Sequence, residues 1–98
     1  MDQMLKRIKK LSELEPKTLQ EMSLKISEEA GEVSQAVLSY TNASGSMYKQ
    51  LESSDVKEEC IDLVLVSLAL FYKLSGDDVE LDQFINKKLE KWEDHMNS

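Results

Sequence analysis

The segment Leu63 to Tyr72 limits most narrowly what this chain can fold into. It is the longest nearly apolar run in the sequence, ten residues interrupted by the small polar Ser67. A bilayer needs about twenty residues of helix, so the run predicts a core helix and not a membrane span. At about 100° per residue, Ile61, Val64, Leu65, Leu68 and Tyr72 fall on one side of that helix, and Leu63, Val66 and Leu70 on the opposite side. Such a helix must be covered all round. The remainder of a 98-residue chain offers little to do it with, so a second subunit is expected to cover part of it.

The other segments read as helices too, and no sustained strand-type alternation occurs, which makes the expected class all-α. Gln3 to Leu14 carries Met4, Leu5, Ile8, Leu11 and Leu14 on one stripe, and Pro16 ends it by disfavouring helix at Glu15. A second helix of about 24 residues is expected from Pro16 to Tyr40, with Leu19, Met22, Ile26, Ala30, Val33 and Val37 at steps of three and four. Thr41 to Ser46 favours turns, and the connection is expected to run as far as Ser54. Asp55 then reads as the N-cap of the apolar helix, which closes at Leu74-Ser75 with Gly76 as its C′ residue. A fourth helix, capped by Asp77 or Asp78, places Leu81, Phe84, Ile85, Leu89 and Trp92 on one face. Residues 1–98 are thus expected to form a single domain resembling a four-helix bundle that oligomerises through its central apolar helix.

Nineteen acidic against twelve basic residues give a formal charge of −7, so a nucleic-acid backbone would be repelled. The lone cysteine, Cys60, has no internal disulfide partner, and the first residues lack the apolar region of a signal peptide; the expected location is the cytoplasm, with no membrane partner.

Carboxylates interrupt this pattern where it is most apolar. Asp62 sits among apolar neighbours on the central helix, and Glu59 lies one turn before it, about 60° away around the axis. Burying an ionised carboxylate costs several kcal/mol (roughly, by the general rule) unless a cation or hydrogen bonds compensate, so the pair asks for a metal, a basic partner or a wet cleft. The second helix repeats the spacing. Glu29 falls at the edge of the Ile26/Val33 stripe and Glu32 just beyond it, whereas Glu28 falls on the solvent side. Two facing i, i+3 pairs would bring four anions together. Oxygen-only ligands with no His or Cys among them suit Mg²⁺, or Mn²⁺, over zinc. Gly31, unfavourable within a helix, would leave room for a ligand or a backbone between the two glutamates.

The segments Lys25-Ile26-Ser27-Glu28-Glu29-Ala30-Gly31-Glu32 and Glu58-Glu59-Cys60-Ile61-Asp62-Leu63 resemble the E-x-x-E…E-x-x-D signature of MazG-type nucleotide pyrophosphohydrolases, with 26 residues between Glu32 and Glu59. The resemblance runs from about Leu19 to Trp92 and includes Asn86 to Trp92, where Leu89 stands in place of the usual aromatic residue. It implies an all-α dimer or tetramer that hydrolyses nucleoside triphosphates to monophosphate and pyrophosphate. By the same resemblance Glu29, Glu32, Glu59 and Asp62 would hold Mg²⁺ and be catalytic, while Lys25, Asn86, Lys88, Lys91 and Trp92 would bind substrate, with the phosphate contacts of the last helix supplied across subunits. Lys25 to Glu32 also resembles phosphoribosyl-ATP pyrophosphohydrolase, although Leu65 and Val66 stand where that family carries Tyr-His. A third reading is a non-catalytic acidic helical interaction domain.

Other polar residues are expected to be structural. His95, three residues from the C-terminus, reads as an exposed surface side chain. Cys60 reads as a small buried apolar residue, because the acids beside it disfavour a thiolate. Lys6, Arg7, Lys9 and Lys10 read as a solvated helix face, and Trp92 as a hydrophobic anchor for the last helix or a stacking surface for a base.

Overall fold

The computed structural model describes residues 2–41, 52–74 and 76–98, which form four helices with no strand among them. They are α1 (Asp2–Glu13), α2 (Leu19–Tyr40), α3 (Ser53–Lys73) and α4 (Asp78–Met96). The turn signals from Asn42 to Ser46, the rest of the connection as far as residue 51, and Ser75 lie outside the described residues. None of the four helices is long and apolar enough to cross a membrane.

Local side-chain chemistry sets the helix ends. The second helix begins at Leu19 and not at Pro16, because Thr18 and Glu21 close a capping box: Thr18 Oγ1 accepts from the Glu21 amide at 3.1 Å, and Glu21 Oε1 from the Thr18 amide at 2.8 Å. The third begins at Ser53, two residues before the expected cap. Asp55 is its N3 residue, reaching back so that Oδ2 accepts from the Glu52 amide at 2.9 Å. Its C-cap is Leu74, so Gly76 lies two residues beyond and not at C′. Gly76 is required for a different reason: a Cβ there would collide with the Phe71 ring. Asp77 caps α4, with Oδ1 accepting from the Glu80 amide at 2.7 Å.

The α2 and α3 helices pack antiparallel: Met22 lines a groove with Val66 and Ala69, while Glu29 meets Glu59 and Asp62. Met22, Glu29, Ala36 and Ser39 are the buried stripe of α2. Along the same face of α3, α1 lays Ile8 and Ser12 against Leu65, Val66 and Ala69. Ser12, only 2% exposed, donates to the Lys9 carbonyl at 2.7 Å, a buried polar side chain that the apolar stripe of α1 does not reveal. The Lys73 ammonium ties the α1–α2 link to the end of α3 by donating to the Glu15 carbonyl at 2.7 Å.

Met22, Ala36, Tyr72 and Leu81 are the buried hydrophobic side chains among the described residues. The α4 helix meets α3 near their junction, where Phe71 stacks edge-on against Phe84 with ring centroids 6.1 Å apart. Farther along, Leu89 and Trp92 are exposed. The radius of gyration of 16.1 Å exceeds the roughly 13 Å of a compact domain of this size. Among the described residues the central helix is covered on one side only, with Ile61, Val64 and Leu65 exposed.

Tyr72 fastens the α3–α4 corner. Its buried hydroxyl donates to Asp78 Oδ1 at 2.8 Å, and burial, then the hydrogen bond and charge of Asp78, push its pKa up to about 12 from an ordinary 10.0. The folded protein therefore holds this proton more tightly than the unfolded chain. That contribution is complete below pH 10 and is lost as pH rises towards 12. Tyr72→Phe is expected to cost about 1 kcal/mol at neutral pH, read by urea unfolding, and to remove part of the alkaline loss of stability. An unchanged denaturation midpoint at pH 7 would contradict this role.

Candidate metal centre

The carboxylates converge where the middle of α2 crosses the first half of α3. Glu29, Glu59 and Asp62 each offer an oxygen within 4.8 Å of the others, and Glu28, Glu29 and Glu32 form a second such triad. Glu29 belongs to both. It is the buried member, 6% exposed, whereas Glu32 and Glu59 are half-buried and Glu28 is exposed. Asp62 is exposed, contrary to the expectation that apolar neighbours enclose it. It lies on the side of α3 that faces α2, at the solvent-exposed rim of the cluster.

Glu29 Oε2 and Glu59 Oε2 are buried without a hydrogen-bond partner. An orphaned carboxylate oxygen is costly in a protein interior, and two of them beside Asp62 form an all-oxygen donor set suited to a hard divalent cation. The residues present therefore fit Mg²⁺ or Mn²⁺. The carboxyl of Glu32 is held above its ordinary range, first by hydrogen bonding with Glu29, then by the charge of Glu29, by burial and by the charges of Glu59 and Glu28. Space above Gly31 is open, with nothing within 4 Å of a Cβ placed there.

Lys25 is half-buried at the edge of this cluster, its ammonium 3.2 Å from Glu29 Oε1 and 3.6 Å from Glu28 Oε1. Its pKa is raised, chiefly by the hydrogen bond to Glu29. Sequence spacing assigned Glu28 to solvent and separated it from the site; the i, i+3 relation to Lys25 is the signal that joins it.

The substrate-binding candidates on α4 stand elsewhere. Among the described residues no ion pair or hydrogen bond joins Asn86, Lys88, Lys91 or Trp92 to the carboxylates; Asn86 instead donates to Asp82 Oδ2 at 3.1 Å. Lys88 and Trp92 line an open apolar groove with Phe71, Phe84, Ile85 and Leu89. Trp92 is 63% exposed and, among the described residues, anchors no core. Cys60 is also exposed, contrary to expectation, because it lies on the outward side of α3. His95 is exposed as expected, and of the basic cluster on α1 only Lys9 is half-covered. Compared with known protein families, curated proteins and solved structures, the chain finds no match.

Proposed function

We propose that this chain is a Mg²⁺-dependent nucleoside triphosphate pyrophosphohydrolase of the MazG type, acting in nucleotide-pool housekeeping. The observation that carries the reading is the pair of buried, unpartnered oxygens, Glu29 Oε2 and Glu59 Oε2, where two helices each bring an i, i+3 carboxylate pair. Glu29, Glu32, Glu59 and Asp62 would hold the ion. Bound Mg²⁺, or Mn²⁺, supplies charge neutralisation of the triphosphate and acidifies a coordinated water. Hydrolysis consumes one water, breaks the anhydride between the α and β phosphates and leaves one proton to be taken up. In this reading Glu29 or Glu32 would take it, since a metal-holding carboxylate with a free oxygen can also accept a proton.

A chain of charge −7 must offer its triphosphate substrate a local positive rim. Lys25 stands beside the carboxylates, but Asn86, Lys88 and Lys91 do not. A second copy completes the site in this reading. The exposed apolar faces of α3 and α4 pack between subunits in a homodimer or homotetramer, carrying the α4 lysines to the partner's carboxylates and Trp92 to a position beside the base.

The test is incubation with Mg²⁺ and a panel of nucleoside triphosphates, with monophosphate plus pyrophosphate separated from diphosphate plus phosphate. Monophosphate and pyrophosphate are expected. No cleavage with Mg²⁺ or Mn²⁺, and none of phosphoribosyl-ATP, by a folded protein would overturn the hydrolase reading. A non-catalytic helical interaction domain would then stand, favoured by the exposed apolar groove along α4.

A further inference from the structure

Glu29 already has a cation of the chain's own. It is the most buried carboxylate of the cluster, and while Oε2 is unpartnered, Oε1 holds the Lys25 ammonium at 3.2 Å. Lys25 rises from the same helix one turn earlier, on a four-carbon stem whose side chain is 39% exposed, so its head can leave without moving the backbone. A second carboxylate waits within reach: Glu28 Oε1, on a side chain 57% exposed, is 3.6 Å from the same ammonium. A divalent cation bound through Glu29 would repel that ammonium, and the two cannot both take full benefit from one carboxylate.

We propose that Lys25 is the resident counter-ion of the carboxylate cluster, a positioning residue that yields Glu29 to an incoming divalent cation and transfers to Glu28 or to the substrate's phosphates. This rests on the reading of the cluster as a metal centre and adds an order of events: the lysine that stabilises the metal-free cluster is released to the triphosphate by the loading of the metal. The apparent cation affinity is therefore set partly by the competing lysine.

Mn²⁺ titration of the full-length protein without nucleotide, read by electron paramagnetic resonance of the free ion, tests it. Lys25→Met keeps most of the apolar stem and removes the charge; it is expected to bind Mn²⁺ about 3–10-fold more tightly than wild type. Lys10→Met, on α1 and outside the cluster, is expected to leave the affinity unchanged. With the non-hydrolysable α,β-methylene-ATP and saturating Mn²⁺, Lys25→Met should bind the nucleotide more weakly, a split in direction that a merely structural lysine would not produce. Helical circular dichroism checks that each variant is folded. If wild type binds Mn²⁺ and Lys25→Met binds it equally or less well, the counter-ion role is wrong while the metal centre stands. If wild type binds no Mn²⁺ at millimolar concentration, both fail together.

Discussion

Glu59→Gln is expected to lower kcat/KM for nucleoside triphosphate hydrolysis by about 100-fold or more while raising the melting temperature of the metal-free protein. The two effects have one cause. Glu59 contributes an unpartnered buried oxygen to a triad with Glu29 and Asp62 and adds to the charge that holds the carboxyl of Glu32 above its ordinary range. An amide of the same shape removes one negative charge from a repelling set, worth a few degrees of melting temperature in a domain of this size. The same change deletes a hard ligand, and losses of 10–100-fold (roughly) follow even from disturbing the groups behind such ligands. Mg²⁺ should then raise the melting point of wild type by mass action but not that of the variant. A variant that loses activity and stability together would indicate a structural role for Glu59 instead. Asp62→Asn should match the loss of activity with a smaller stability gain, because Asp62 is exposed.

Val64→Lys is expected to dissociate the protein. Val64 is 47% exposed on the side of α3 that the described residues leave uncovered, beside Ile61 and Leu65 at 55% and 42%. In an isolated chain a lysine there projects into water at little cost. Within an apolar interface it desolvates an unpaired ammonium, and a penalty of several kcal/mol weakens self-association by roughly 100-fold or more. Sedimentation at micromolar concentration should show a dimer or tetramer for wild type and a monomer for the variant. The wild-type melting temperature should depend on protein concentration, and that of Val64→Lys should not. The physical pressure behind this expectation is the size of the core: four buried hydrophobic side chains among the described residues are a thin interior for a chain of 98. A monomeric wild type stable at nanomolar concentration would refute the shared interface.

The order and class of the four helices were readable from spacing, because apolar period, caps and breakers act over a few residues. Pro16 marks the break between α1 and α2, and Asp77 the start of α4. The paired carboxylates were readable for the same reason: i, i+3 spacing fixes neighbours on one helix whatever packs around it. Where cap signals compete, the choice was not readable. Thr18 with Glu21 outbids Pro16, and Asp55 acts from inside α3 on the amide of Glu52.

Which face of each helix is covered is a property of its neighbours, and there the tertiary structure decided. A run that is apolar all round does not say which half α1 and α2 will take, so Cys60 turned outward, Asp62 came to the exposed rim of the cluster that faces α2, and Glu29 became the buried acid. The partner of Lys25 was open among several carboxylates until Glu29 was fixed in place at 3.2 Å. The lysines of α4 share a chain with the carboxylates but not a contact, because α4 departs from the end of α3 opposite to Glu59. Helical periodicity fixes angles about one axis; burial and ion pairing depend on where a second axis lies.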